Sequence, residues 1–170
     1  METLNIQEIL QDIDKIEKQL KHIKRQLLEE EKTEYKAFVY CHILPNNKYY
    51  IGVAKEPKQR WSNGEGYRAN KEFYSDIKKY KWENIKHLIL LETETIENAK
   101  SLELVFISLY EATKYGYNKR DYISLNKKTL NDILTSKLND KNEKVNLHNK
   151  NVKILENIYK KVLQREGARV

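Results

Sequence analysis

Ile6, Ile9, Ile13, Ile16, Leu20, Ile23 and Leu27 recur at alternating intervals of three and four, an unbroken run of a and d positions across three heptads. No glycine or proline interrupts residues 1–33, and glutamate, glutamine and lysine fill most of the other places. The segment therefore commits to one amphipathic helix about 40 Å long, at 1.5 Å per residue. A strict a/d stripe is narrower than most faces that pack a helix onto its own domain. It predicts a coiled coil joining copies of the chain, with a homodimer through the N-terminal helix as the expected assembly; folding back on the same chain is the alternative. Isoleucine at all three d positions and two of the four a positions leaves the strand number open between two and three.

The remaining chain divides into residues 34–122 and 123–170. In the first of these, Ala37 to Leu44 is aromatic and β-branched and reads as a strand. Pro45 to Lys48 supplies turn residues, and Tyr49 to Val53 is a second strand, so the two form a hairpin. Glu72 to Tyr80 predicts a helix with Phe73, Ile77 and Tyr80 on one side, and Ile85 to Leu91 predicts a third strand. Thr95 is placed to cap a helix running through Tyr110. After residue 122, Leu130, Ile133, Leu134 and Leu138 have helical spacing, as do Val152, Leu155, Tyr159 and Val162. Between them, residues 139–151 hold five asparagines and three lysines and read as an uncommitted polar linker. No internal repeat is evident.

Charge is unevenly distributed. Residues 1–33 carry six basic and eight acidic side chains, residues 34–122 carry fifteen and twelve, and residues 123–170 carry eleven and five. Most of the formal +7 therefore sits in the last quarter of the chain, as a basic extension suited to polyanions or simply as a solvated surface. No apolar run approaches the ~20 residues of a membrane span, and the acids and amides after Met1 argue against a signal peptide. The single cysteine, Cys41, has no internal disulfide partner, and no Cys/His spacing fits zinc. A reducing cytoplasm and no membrane partner are the expectation.

Five polar residues in order carry a more specific signal. Phe38-Val39-Tyr40, Tyr50-Ile51-Gly52, Arg60 eight residues on, Glu103 within Ser101–Ile107, and Asn118 closing Tyr115-Gly116-Tyr117-Asn118 together resemble the GIY-YIG nuclease module over about ninety residues. The resemblance implies an α+β fold, with a three-stranded antiparallel sheet flanked by helices. The N-terminal coiled-coil helix and the helical C-terminal extension are then additions to that core. It implies Tyr40, Tyr50, Arg60, Glu103 and Asn118 as catalytic residues and Glu103 as the metal ligand. Two positions depart from the family pattern: Phe38 replaces the first glycine, and Lys81 stands where a helix-terminating glycine is expected.

These residue types suit phosphodiester hydrolysis. Glu103 is a hard oxygen donor for Mg²⁺ (or Mn²⁺), and Arg60 presents a planar charged fork to a phosphate gaining charge. Tyr40 and Tyr50, facing each other across the hairpin, bring two phenols to the same phosphate, one as general base and the other to orient. A phenol with an ordinary pKa of ~10 needs help to act as a base. The resemblance favours Tyr40 for that role, while the residues alone do not choose. Asn118 fits a bracing role. His42 shares Tyr40's face and is an accessory candidate, whereas Cys41 points the other way, into the core. Lys55, Lys58, Arg68, Lys71, Lys78 and Lys79 are candidate phosphate contacts on a DNA-binding rim. Tyr67 and Trp61 are candidates for stacking on a base, with Trp61 better suited to the core.

The function expected is a divalent-metal-dependent DNA endonuclease, restriction-like or of mobile-element or phage type, acting as a homodimer. The alternative is a non-catalytic nucleic-acid-binding or assembly protein that keeps the nuclease fold. Nothing in the chain separates duplex DNA from branched or single-stranded DNA.

Overall fold

The computed structural model describes residues 6–32, 37–119, 125–142 and 144–167 of the chain, which forms two units, 1–34 and 35–170. In the first unit, α1 (Ile6–Lys32) is a continuous helix of 27 residues. Every side chain from residue 11 to 25 is exposed, including four of the heptad stripe: Ile13 at 46%, Ile16 at 54%, Leu20 at 60% and Ile23 at 50%. The side chains of Ile6, Ile9 and Leu27 lie outside the described residues. No described helix is long and apolar enough to cross a membrane.

In the second unit the predicted hairpin forms from β1 (Ala37–Ile43) and β2 (Tyr49–Ala54). Its turn is closed by Leu44 N–H donating to the Lys48 carbonyl at 3.0 Å and Asn47 N–H to the Leu44 carbonyl at 2.9 Å. β1 pairs antiparallel on its other side with β3 (Lys86–Thr93). A register shift between Val39 and Tyr40 on β1 marks a bulge, a device that re-aims a side chain.

The sheet has four strands, not three. β4 (Val145–Leu147) pairs antiparallel with β3, giving the order β2-β1-β3-β4. It falls inside the stretch read as a linker, and the last helix, α6 (Asn149–Arg165), also begins there. Three residues show no usable alternation; what makes Val145–Leu147 a strand is the free edge of β3, where His148 N–H also donates to the Leu90 carbonyl at 2.9 Å.

Alternation along β1 separates two cores. Ala37, Val39, Cys41 and Ile43 face α4 (Ile96–Leu109) and α6, packing with Leu102, Phe106, Leu155 and Tyr159. Cys41 is fully buried there, as expected. Tyr40 and Leu44 face the opposite side, where Phe73 and Ile77 of α3 (Lys71–Tyr80), Tyr67 and Tyr117 complete a second cluster. The segment after residue 122 thus contributes a strand and a helix to the same unit as the hairpin. Its other helix, α5 (Lys127–Leu138), inserts Leu130 between Val105 and Leu109 of α4.

The helix ends follow local chemistry. The Thr95 hydroxyl accepts from Asn98 N–H and caps α4 as predicted, and the Asn70 side chain does the same for α3 through Phe73 N–H. At the far end of α3, Lys81 adopts φ 67° and ψ 141°. This is not the left-handed helical conformation in which a lysine costs little, but a region that favours glycine more strongly.

Candidate active site

The site forms where β2 has no neighbouring strand. An edge strand leaves backbone groups unpaired, and Asn118 takes one pair of them: Ile51 N–H donates to Asn118 Oδ1 at 3.0 Å and Asn118 Nδ2 donates to the Ile51 carbonyl at 2.8 Å. Tyr117 N–H adds a bond to the Tyr49 carbonyl at 2.9 Å. The 115–118 loop therefore substitutes for a fifth strand and fixes the backbone between Tyr50 and Gly52. Gly116 permits it, because a Cβ there would lie 2.1 Å from the Tyr49 carbonyl oxygen.

Gly52 is required by a side chain. A Cβ at this position would fall 2.6 Å from the Tyr40 hydroxyl and 2.9 Å from the Tyr50 ring. Tyr40 and Gly52 are cross-strand partners, so the missing side chain is the space into which the Tyr40 phenol extends. Tyr50 stacks on Phe73 at 4.9 Å between ring centres.

Tyr50, Arg60, Glu103 and Asn118 line one open cavity of about 610 Å³, together with Tyr67, Asn70, Lys71, Glu72 and Lys119. Arg60 comes from α2 (Pro57–Trp61), a single turn of helix that starts at a proline. Its guanidinium lies 4.9 Å from the Tyr67 ring centre and donates to the Gly66 carbonyl, an approach open only to glycine at position 66. Glu103 reaches the cavity from α4. Burial pushes its carboxyl up to about 7, against the pull of Lys100 and Arg60.

Tyr40 is 1% exposed and adds no surface to the cavity; its hydroxyl is hydrogen-bonded at 3.1 Å to that of Tyr67, which does. Burial raises both Tyr40 and Tyr50 above the ordinary phenol range. Beyond burial, Tyr50 adds to the rise at Tyr40 and Glu103 to that at Tyr50, while Arg60 opposes it at both.

The structure leaves other predicted residues elsewhere. His42 is fully buried and does not line the cavity, with Nε2 2.7 Å from the Tyr67 hydroxyl and Nδ1 2.9 Å from Nδ1 of His87. Of the predicted rim, Lys71 lines the cavity. Lys55 and Lys58 border a separate apolar recess with Trp61. Arg68 and Lys78 are engaged by Glu65, and Lys79 lies 5.1 Å from the Tyr80 ring centre. Trp61 packs against the second core. Three participants were not foreseen in these positions: Tyr67 as a hydroxyl partner of Tyr40, Lys119 on the cavity wall, and His87 behind His42. Tyr67 stood out as an aromatic near Arg60, but its partners are set by tertiary packing.

The donor set fits a hard divalent cation. Among the described residues no three His, Cys, Asp or Glu side chains are grouped to hold a metal. Glu72, also on the wall, is tied up by Lys119 at 2.8 Å and Lys48 at 2.9 Å, which hold its carboxyl down at about 2. Glu103 is left as the available carboxylate, and Mg²⁺ is commonly held by one or two carboxylates with water and phosphate oxygens filling the rest.

Neither the search of curated proteins nor that of solved structures found a match. The family model of the GIY-YIG catalytic domain, a nuclease domain, matches residues 36–120, from the start of the hairpin to just beyond Asn118. On that match, and with hairpin, arginine, glutamate and asparagine in the family's order, the chain belongs to the GIY-YIG family.

Proposed function

We propose that the protein is a divalent-metal-dependent DNA endonuclease that hydrolyses phosphodiester bonds as a homodimer, of restriction-like, mobile-element or phage type. The observation that carries this reading is the convergence of Tyr50, Arg60, Glu103 and Asn118, drawn from a strand, two helices and a loop, on one open cavity.

The roles follow from position. Arg60, held by the Gly66 carbonyl and the face of Tyr67, offers its remaining N–H groups to a phosphate as negative charge builds on the equatorial oxygens. Glu103 would hold Mg²⁺ or Mn²⁺, which when bound supplies Lewis acidity toward phosphate oxygens. Tyr50, beside Arg60 on the cavity wall, orients the phosphate or the attacking water. The hydroxyl pair Tyr40–Tyr67 takes the water's proton. Because burial raises both phenols, neither is a free tyrosinate at neutral pH, so the pair acts by accepting one proton as it releases another. Asn118 touches no substrate; it sets the β2 backbone that carries Tyr50. Lys71 and Lys119 add positive charge for DNA at the cavity's mouth.

Among its described residues each chain has one such cavity, and cutting both strands of a duplex calls for two. The apolar stripe exposed on α1 supports pairing of two chains.

Incubation of plasmid DNA with the protein in Mg²⁺, in Mn²⁺ and in excess chelator tests the reading. Strand breaks in either metal and none in chelator are expected; breaks that persist in chelator would remove the metal, and none under any condition would remove the enzyme.

A further inference from the structure

Four side chains and one carbonyl form a continuous hydrogen-bonded line that meets the cavity wall at Tyr67. Tyr40 and Tyr67 hydroxyls are 3.1 Å apart, Tyr67 Oη and His42 Nε2 are 2.7 Å apart, and the Nδ1 atoms of His42 and His87 are 2.9 Å apart. Finally, His87 Nε2 stands 3.2 Å from the Trp82 carbonyl oxygen. His42 and His87 are cross-strand partners on β1 and β3. Nothing in the roles derived above uses either histidine.

The carbonyl at the end sets the direction of the whole line. Trp82 O only accepts, so His87 carries its proton on Nε2. A neutral His87 then presents a lone pair at Nδ1, which requires the proton of His42 to sit on Nδ1. His42 Nε2 is left as an acceptor, so the single Tyr67 proton, which the oxygen positions allow toward Tyr40 as well, goes to His42, and Tyr40 donates to the Tyr67 oxygen. No neutral arrangement runs the other way without setting a ring lone pair against the carbonyl.

We infer that His42 and His87 are a proton relay that draws the proton of the attacking water away from the Tyr40–Tyr67 pair and stores it on His87. This rests on the nuclease reading. The transfer balances bond by bond. Water gives a proton to the Tyr67 oxygen, which lines the cavity, as Tyr67 gives its own to His42 Nε2. His42 gives its Nδ1 proton to His87 Nδ1. Hydroxide is left in the cavity and an imidazolium at His87, with Nδ1–H and Nε2–H both hydrogen-bonded. In that state Tyr67 holds the water's proton, and its oxygen accepts from His42 Nε2–H and from Tyr40. No tyrosinate forms at any stage, which is the difficulty that burial creates for these phenols. His87 is only partly buried, so it can return the proton to solvent.

The titratable and charged groups around the two imidazoles are Tyr40 from β1, Arg60 from α2, Tyr67 from the turn at Ser62–Tyr67, and each other. Trp61, Phe73 and Trp82 supply uncharged walls. Desolvation lowers both histidines, and at His42 the charges of His87 and Arg60 add to it, so both are neutral at pH 7, as the relay requires.

His42 and His87 are positioning residues in this scheme, and a glutamine at position 87 retains an acceptor for His42 while being unable to store a proton. Single-turnover cleavage at saturating Mg²⁺ is compared for the natural protein and His87→Gln from pH 6 to 9. The natural protein is expected to hold a flat rate above neutrality. His87→Gln should fall on the order of 10²-fold at pH 7 and recover with rising pH as hydroxide replaces the relay. Equal rates and parallel profiles would overturn the relay while leaving the nuclease intact. If the natural protein cuts nothing, the relay falls with the reading it rests on. Nitrogen-15 spectra of the unmodified protein give a readout independent of turnover and of any variant's folding. Proton on Nδ1 of His42 and Nε2 of His87 is expected, and the opposite pair of tautomers would overturn the proposal.

Discussion

Gly52 shows how much of the site rests on an absent atom. With a Cβ 2.6 Å from the Tyr40 hydroxyl and 2.9 Å from the Tyr50 ring, Gly52→Ala must displace a phenol at its tip. Tyr40 is buried and Tyr50 stacks on Phe73, so the expected result is a folded protein destabilised by about 1–3 kcal/mol that cuts on the order of 10²-fold more slowly, a displacement effect of the size that misplacement by about 1 Å produces. Glu103 makes a second residue-scale prediction. Its carboxyl, raised to about 7, binds a proton in the folded state that the unfolded chain has lost above its ordinary value near 4.5. Metal-free stability should therefore fall as pH rises from about 5 through 7, by about 3 kcal/mol. Glu103→Gln should abolish this dependence, and Mg²⁺ at pH 8 should restore stability to the natural protein alone; thermal melts across pH check both. Tyr50, Arg60, Glu103 and Asn118 were readable because each has a distinctive type in a fixed order along the chain. His87 was not, since its links to the site are a cross-strand contact with His42, forty-five residues away, and ring stacking on Trp61.

At the scale of elements, Lys81 is the clearest departure from local preference. It ends α3 at φ 67° and ψ 141°, where a side chain is strained by about 1–3 kcal/mol and glycine is not. Lys81→Gly should stabilise the protein by about 1 kcal/mol, after the greater chain entropy of glycine is subtracted, and a denaturant midpoint that falls instead would contradict this. The strands of the hairpin, the caps of α4 and the helix α3 were legible because alternation, turn residues and a capping threonine speak locally. β4 was not: Val145-Asn146-Leu147 is a strand because β3 offers it an edge. The same holds for the 115–118 loop, whose pairing with β2 through Asn118 is a tertiary event that no local pattern encodes.

At the scale of the molecule, an a/d stripe exposed at its described positions and one cavity holding Glu103 bear on the same question. Leu20 and Ile16 are 60% and 54% exposed in the isolated chain. Replacing both with glutamate should convert a dimer to a monomer in sedimentation, and a plasmid digest should then accumulate nicked circles in place of linear product. A natural protein that sediments as a monomer would remove the pairing and leave the cavity's chemistry untouched. If this cavity breaks phosphodiester bonds through Glu103, supercoiled plasmid reports it. With Mg²⁺, the natural protein should convert the plasmid to nicked or linear form, and Glu103→Ala should retain DNA binding while losing cleavage. Equal cleavage by both, or none by the natural protein on DNA that it binds, would contradict the account.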